Sequence, residues 1–150
     1  MHRHSSILKQ RTRGRLNVEK LTYGLIGCGR IAPNHITAAM NNADALEVVA
    51  LCDPVREHAE KILSFLPEEK RASVRMYEDY REMLRDGAPT LVSIATESGK
   101  HASIGLDCLD AGCNVIIEKP IALSMDDARA LVSKAKEKNV KIIVWTWASC

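Results

Sequence analysis

The sequence predicts an α/β domain in which a doubly wound parallel sheet of about six strands carries helices on both faces. Three observations indicate this fold. From Leu21 onward, short apolar runs alternate with amphipathic segments. The runs are nearly all apolar, as in strands covered on both faces, and they are too short to be helices. A glycine-rich turn separates the first run from the first amphipathic segment.

Residue patterns place the individual elements. The predicted strands cover residues 21–26, 46–52, 73–77, 90–95, 113–117 and 140–145. The first predicted helix follows Gly29. The four others cover residues 54–66, 78–85, 100–111 and 125–138. Pro33 fits only the first turn of its helix, where the missing N–H is not needed. Ser124 and Asp127 form a capping pattern at the start of the last helix, and Gly112 suits the end of the helix before it.

Composition excludes several classes of protein. Of the 150 residues, 46% are hydrophobic and 27% are charged, so the chain can bury a core. Because we find neither a membrane-spanning apolar stretch nor the apolar segment of a secretory signal, we expect a cytoplasmic protein. The five cysteines contain no C-x-x-C pair, so we expect neither a disulfide framework nor a metal site. Most of them are interpreted as small buried apolar residues.

Residues 1–20 form a basic leader. They hold six basic side chains against Glu19, whereas the rest of the chain is mildly acidic within a net charge of +2. An acidic body disfavours nucleic-acid binding, so no nucleic-acid partner is expected. The leader is predicted to be disordered, and its composition also suits a transit peptide or an upstream start. DNA binding through this leader ranks last among the functions considered.

The run Gly27-Cys28-Gly29-Arg30-Ile31-Ala32 has the form G-x-G-x-x-A between the first strand and the first helix. Gly27 permits a tight turn, Gly29 lets the backbone approach a pyrophosphate, and Ala32 lets helix and strand pack closely. N–H groups at the helix N-terminus and the helix dipole both favour a phosphate there. A lone match is weak evidence, since glycines between a strand and a helix are often only a turn.

Asp53 ends the second predicted strand, 26 residues after Gly27. At that position a carboxylate accepts hydrogen bonds from the ribose hydroxyls of NAD. It repels the additional phosphate of NADP, and only Arg56 offers an opposing cation nearby, so NAD is expected and NADP is less favoured. In the alternative interpretation Asp53 caps a helix that begins at Pro54, and the two roles are compatible.

Lys119 follows the fifth predicted strand, at the edge of the sheet where such folds bind ligands. A partly desolvated ammonium at this place, its pKa lowered by burial, can donate a hydrogen bond to a sugar hydroxyl or take part in a proton relay during hydride transfer. The alternative is an ordinary surface lysine near Glu118.

Four segments together resemble a known family. In order and with the right gaps, GCGRIA, CDP, IATESGKHA and AGCNVIIEKPIALS are similar to the amino-terminal half of the Gfo/Idh/MocA oxidoreductases, the family of glucose-fructose oxidoreductase and inositol dehydrogenase. The resemblance implies that residues 21–150 form a Rossmann domain that binds NAD(H) or NADP(H). It also implies that the family's carboxyl-terminal substrate domain is absent from this chain, and that the whole enzyme oxidises or reduces a sugar, sugar nucleotide or cyclitol.

The resemblance also implies roles for single residues. Those placed at the pyrophosphate are Gly27, Gly29, Arg30 and Ile31, and Asp53 is placed at the adenosine ribose. Those placed by the nicotinamide half are Thr96, His101, Glu118 and Lys119, with Lys119 as the catalytic lysine and Pro120 shaping its loop. A positional role is expected for His101, because a histidine at a helix start is commonly a capping or packing residue.

Two functions from different classes stay open. The first is an NAD(P)-dependent dehydrogenase of sugars or cyclitols, of which this chain is the cofactor-binding half. The second is a catalytically inert dinucleotide-binding module, either a truncated product or a sensor or partner protein. Turnover with sugars and cyclitols favours the first, and saturable NAD binding without turnover favours the second.

Overall fold

The computed structural model describes residues 10–12, 15–17 and 19–145. Within these ranges the strands are β1 (Gln10–Thr12), β2 (Arg15–Asn17), β3 (Leu21–Ile26), β4 (Leu46–Cys52), β5 (Arg75–Tyr77), β6 (Leu91–Ile94), β7 (Asn114–Glu118) and β8 (Ile142–Trp145). The helices are α1 (Ala32–Asn41), α2 (Arg56–Leu63), α3 (Glu68–Arg71), α4 (Tyr80–Gly87), α5 (His101–Asp110) and α6 (Met125–Lys138). A 3-10 turn, Ser98–Lys100, leads into α5.

Strands β3 to β8 form one parallel sheet in the order β5-β4-β3-β6-β7-β8. From β3 the chain first builds outward through β4 and β5, and it then returns to build the other half from β6. This is the strand order of the doubly wound dinucleotide-binding fold, so the predicted fold class is confirmed. The reversal leaves a crevice between the carboxyl ends of β3 and β6.

Helices cover both faces of the sheet. Neighbouring residues of β3 point to opposite faces, and each packs against a different set of helices. Leu25 packs in one core cluster with Ile36 of α1 and Ile62 of α2. Ile26 packs in the other cluster with Ile104 of α5. The nearly all-apolar strands in the sequence reflect this coverage on both faces.

The predicted ends of several elements hold in the structure. The Ser124 hydroxyl accepts the N–H of Asp127 at 3.1 Å at the start of α6. Gly112, just past α5, has the left-handed φ of +89°, and Pro33 lies in the first turn of α1. Ser124, Gly112 and Pro33 therefore mark helix ends where the sequence predicted them.

The helix predicted over residues 54–66 is wrong at both ends. Helix α2 begins only at Arg56, after an extended Val55, and it ends at Leu63. Pro67 then precedes the separate short helix α3. The N–H groups of Phe65 and Leu66 donate to carbonyls only three residues back, those of Ile62 and Leu63, each at 3.0 Å, so the chain leaves the α-helix in a tighter turn before Pro67.

Part of the basic leader is described. Residues 10–12 and 15–17 pair as an antiparallel two-stranded sheet that is separate from the main one. Residues 1–9, 13–14 and 18 lie outside the described part, so the predicted disorder of the leader stays a prediction. In the part of the chain that the structure describes, no helix has both the length and the apolar character needed to cross a bilayer.

Candidate functional site

A cleft of about 630 Å³ lies at the carboxyl ends of β3, β4, β5 and β6. It lies where the strand order reverses, the place at which open α/β sheets bind their ligands. Its volume is in the range of pockets that hold small molecules and cofactors. Four of the predicted site residues line it: Gly27, Gly29, Asp53 and Thr96.

Gly27 allows the turn after β3 to lie against both neighbouring strands. Its φ is +95°, a left-handed value that side chains disfavour. A Cβ at this position would lie 2.6 Å from the carbonyl oxygen of Ala95, just after β6. On the other side, the N–H of Gly27 donates to the carbonyl of Cys52 at 2.8 Å. Glycine is therefore required at this position by both conformation and space.

Gly29 serves a different purpose, because it faces open space. No heavy atom lies within 4 Å of a Cβ built at this position, and the residue lines the cleft. Arg30 next to it is exposed, and Ile31 is half-buried at the N-cap of α1. The exposed backbone at Gly29 is the approach that a pyrophosphate needs.

The first turn of α1 has fewer N–H groups to offer an anion than its position suggests. The N–H of Ala32 donates to the carbonyl of Gly29, and that of Asn34 donates to the carbonyl of Ile31, each at 3.1 Å. Pro33 between them has no N–H. An anion at this end of the helix would therefore meet the N–H groups of residues 29–31.

Asp53 ties the glycine turn to the end of β4. Its Oδ2 accepts the N–H of Cys28 at 2.8 Å, and its Oδ1 accepts the N–H of Val55, also at 2.8 Å. Nδ1 of His58 lies 3.2 Å from the same Oδ1. Since α2 begins only after Val55, the alternative in which Asp53 caps a helix beginning at Pro54 is wrong. The carboxylate closes a turn ahead of the helix instead.

Glu118, at the end of β7, is buried against α1. Its Oε1 lies 2.6 Å from Nε2 of His35, whose ring centroid is 5.2 Å from that of Trp145. Burial lowers the pKa of His35, and the hydrogen bond to Glu118 opposes this shift only in part. The neutral ring therefore donates Nε2–H to the carboxylate and joins α1 to β7.

Lys119 and Pro120 lie beyond this pair and are exposed. The backbone N–H of Lys119 donates to the carbonyl of Trp145 at 3.1 Å. Lys119 and Pro120 do not line the cleft. Within residues 19–145 the Lys119 side chain is exposed, and its role beside a cofactor stays a prediction.

His101 connects the loops that follow β6 and β7. The residue is 2% exposed, with Nε2 at 2.9 Å from the carbonyl oxygen of Thr96 and Nδ1 at 2.8 Å from that of Pro120. A neutral imidazole donates to one of two carbonyls, and a protonated one donates to both. These contacts are positional, and the place of His101 beside a cofactor stays a prediction.

The cleft also contains residues that the sequence analysis missed. Tyr80 donates its hydroxyl to Asp107 at 2.6 Å, and the guanidinium carbon of Arg81 lies 4.8 Å from the Tyr80 ring centroid. His58 lines the same cleft beside Asp53. The contact of His58 with Asp53 had a signal in the sequence, because His58 follows Asp53 by five positions, near the start of the predicted helix. His35 was also detectable, because it lies on the apolar stripe of α1.

The four cysteines that the structure describes, Cys28, Cys52, Cys108 and Cys113, are buried and free. Burial raises the pKa of Cys28 and of Cys52 to about 12, and the charge of Asp53 adds to both shifts. Their interpretation as small apolar residues is confirmed, and Cys150 lies outside the described residues. Among residues with described side chains, no group of three or more His, Cys, Asp or Glu could hold a metal ion.

The switch-point cleft, the glycine turn and the acid at the end of β4 define an α/β domain of the dinucleotide-binding class. Comparison with known families is more specific. The profile of the GFO_IDH_MocA family, described as an oxidoreductase family with an NAD-binding Rossmann fold, matches residues 21–146. The chain belongs to this family, and its domain is the NAD-binding Rossmann domain that the resemblance implied.

Individual relatives agree with this assignment. The chain is 30% identical over 124 residues to inositol 2-dehydrogenase of Salmonella typhimurium, covering 83% of this chain and 35% of the relative. It is 34% identical over 127 residues to D-apiose dehydrogenase of Paraburkholderia graminis, covering 85% of this chain and 32% of the relative. The chain thus spans about a third of the length of these curated relatives.

A solved structure matches the fold. It is the WlbA dehydrogenase from Bordetella pertussis in complex with NADH and UDP-GlcNAcA, with a TM-score of 0.76 and 31% sequence identity. The match covers 85% of this chain and 37% of that one.

Proposed function

We propose that the cleft binds NAD, and that the whole protein is a dehydrogenase that transfers hydride between NAD and a sugar, sugar nucleotide or cyclitol. One observation carries the proposal: a glycine turn with an open face and a buried carboxylate meet at the point where the strand order reverses. The relatives support the substrate class, since two are named inositol and D-apiose dehydrogenases. The WlbA structure holds NADH together with a sugar nucleotide.

The residues at the adenosine end suit this cofactor. The pyrophosphate would meet the N–H groups of residues 29–31 beside the open face of Gly29. The adenosine ribose would lie beside Asp53, which lines the cleft. The Oδ1 atom of Asp53 is held in place by the N–H of Val55. A carboxylate fixed in this way is ready to accept a hydrogen bond from a ribose hydroxyl without reorganising.

At the other end, this chain supplies a loop framework. Bound NAD supplies a nicotinamide ring that accepts or donates a hydride. His101 holds the carbonyls of Thr96 and Pro120, and in doing so it fixes the loop that carries Lys119 relative to the cleft. From that exposed position, the Lys119 ammonium can donate a hydrogen bond to a substrate hydroxyl and hold or release a proton at Nζ. Glu118 orients the start of this loop through its bond to His35.

The state of the cysteines bears on the compartment of the protein. We infer a cytoplasmic protein, supported by the four free cysteines among the described residues, because thiols stay reduced in that compartment. The expectation that no nucleic acid binds stays a prediction.

Calorimetric titration of the chain with NAD tests the binding proposal. We expect saturable binding that is about ten- to a hundredfold weaker in Asp53→Asn, because a hydrogen bond to an ionised acceptor is lost. Asp44→Asn is the matched control, since Asp44 is an exposed carboxylate in the loop between α1 and β4 and it does not line the cleft. Thermal unfolding of each variant confirms that it is folded.

Absence of NAD binding by the unchanged chain, or equal weakening by the two substitutions, would contradict the proposal. For the activity of the whole protein, NADH absorbance is followed with sugars, sugar nucleotides and cyclitols. NAD binding without turnover of any of them supports the binding-module alternative instead.

A further inference from the structure

His58 lies beside the carboxylate that the proposed function assigns to the ribose. It stands in the first turns of α2, its side chain is 52% exposed, and its Nδ1 lies 3.2 Å from Oδ1 of Asp53. Both residues line the cleft. A titratable base therefore shares the cleft with the group expected to choose between NAD and NADP.

The acceptor capacity of Asp53 is already partly used. Oδ2 accepts the N–H of Cys28, and Oδ1 accepts the N–H of Val55. These backbone donors carry no net charge, so they hold the carboxylate in place without neutralising its negative charge. In dinucleotide sites of this fold, a carboxylate binds the 2′-hydroxyl of NAD, and a cation near it accommodates the 2′-phosphate of NADP. A protonated His58 would be such a cation in direct contact with Asp53.

The other charged groups around α2 do not fill this role. Arg56 and Glu57 share the helix with His58, and the guanidinium Nε of Arg56 lies 3.1 Å from Glu60. On β5, Arg75 lies 3.8 Å from Asp86. The loop that follows β5 brings three charged residues to the cleft: Glu78, Asp79 and Arg81. Arg81 lies 3.9 Å from each of two carboxylates, those of Asp79 and Asp107. The neighbouring α1 contributes one titratable side chain, His35, which faces Glu118 instead.

Each of these arginines thus has a carboxylate of its own within 4 Å. The carboxylate within reach of His58 is Asp53 itself. A charge gained by His58 therefore acts directly on the ribose site, whereas each of these arginines lies beside a carboxylate other than Asp53.

We propose that His58 sets the cofactor preference of the cleft. When its ring is neutral, the charge of Asp53 repels a 2′-phosphate and NAD is preferred. When the ring is protonated, its Nδ1–H offsets the charge of Asp53 and its Nε2–H is available to the 2′-phosphate. The difference between the affinities for NAD and NADP then becomes smaller. This inference rests on the proposed function, namely that the dinucleotide occupies this cleft.

Dissociation constants for NAD and NADP, measured at about pH 8 and about pH 5.5 at constant ionic strength, test the proposal. The quantity compared is the ratio of the NADP constant to the NAD constant. In the unchanged chain we expect this ratio to fall by about tenfold or more on acidification. His58→Gln keeps an uncharged donor near Asp53, and with it we expect a clearly smaller fall. The residual fall comes from the 2′-phosphate, which itself takes up a proton near pH 6.

Arg56→Gln is the matched control, because it removes a cation of α2 that is already paired with Glu60. We expect it to leave the pH dependence of the ratio unchanged. Equal falls in the unchanged chain and in His58→Gln would overturn the role of His58, as would a loss of the pH dependence in Arg56→Gln. If neither dinucleotide binds, the proposed function fails, and this result is distinct from NAD binding with an unaltered ratio.

Discussion

The two glycines of the turn after β3 are required for different reasons. Gly27 combines a left-handed φ of +95° with a backbone carbonyl 2.6 Å from where its Cβ would be. Gly29 has open space around it on the cleft side. The first glycine is therefore required by the fold, and the proposed function assigns the second to contact with the bound dinucleotide.

Alanine substitutions separate the two requirements. We expect Gly27→Ala to lower the free energy of unfolding by about 3 kcal/mol, because backbone strain and a clash with Ala95 add together. Gly29→Ala should change it by no more than about 0.5 kcal/mol, yet weaken NAD at least about tenfold, because a methyl group fills the space of the phosphate. Urea unfolding and NAD titration measure the two effects.

Gly112→Ala serves as the control for backbone strain. Gly112 has a φ of +89° and no heavy atom within 4 Å of an added Cβ, so only the conformational part remains, about 1–2 kcal/mol. A Gly27→Ala variant that loses no more than Gly112→Ala would show that the contact with Ala95 relaxes freely. A Gly29→Ala variant that binds NAD as well as the unchanged chain would remove this residue from the phosphate site.

Among the elements, α6 has its start fixed by a single side chain. The Ser124 hydroxyl accepts the N–H of Asp127, and Asp126 and Asp127 complement the helix dipole in the first turn. Leu131 and Ala135 then bury the inner face of the helix. The position of α6 against the sheet thus depends on its cap as well as on its apolar side chains.

We expect Ser124→Ala to lower the free energy of unfolding by about 1 kcal/mol, since one N–H of the first turn loses its acceptor. Ser133→Ala is the matched control, because Ser133 is exposed in the middle of the same helix, where alanine is at least as favourable as serine. Chemical denaturation measures both. Equal effects of the two substitutions would show that the cap contributes nothing beyond helix propensity.

At the scale of the whole molecule, buried polar contacts hold together the carboxyl edge of the sheet, and one of them joins its two halves. His35 on α1 meets Glu118 at the end of β7, and these residues are 83 positions apart in the sequence. His101 joins the loops that follow β6 and β7. The geometry of the carboxyl edge of the sheet therefore depends on two buried histidines as well as on strand pairing.

His35 should make the stability of the molecule dependent on pH. Burial lowers its pKa below the ordinary value of 6.5, so the unfolded chain takes up a proton at a higher pH than the folded protein does. The free energy of unfolding should therefore decrease as the pH falls below about 6.5, by at most about 1.4 kcal/mol per pH unit for one proton. Unfolding by urea at several pH values between about 7.5 and 5.5 measures this slope.

In His35→Gln, which keeps a donor and does not titrate, the slope in this interval should become shallower. The free energy of unfolding at about pH 7.5 will also change, but only the slope reports the titration. An unchanged slope in this variant would assign the pH dependence to other groups.

Local signals in the sequence predicted what depends on local physics. The apolar runs located the six main strands because strands buried on both faces need such runs, and G-x-G-x-x-A located the turn because only glycine fits at Gly27. The helix predicted over residues 54–66 already stopped before Pro67, and what the prediction missed is the tighter turn over residues 64–66, which ends α2 at Leu63. The contacts of Asp53 with His58 and of Glu118 with His35 were not predicted, because they depend on how α1, α2 and the sheet pack together.

The buried thiol of Cys28 lies within the glycine turn, and its Sγ is 3.5 Å from the carbonyl oxygen of Cys52. With a pKa of about 12, this thiol is almost entirely un-ionised near neutral pH, and only the thiolate attacks alkylating reagents. Alkylation of Cys28 therefore requires the turn to open transiently and admit the reagent. The rate at which Cys28 is alkylated therefore reports how often the turn opens, and a dinucleotide bound at the turn should lower that rate.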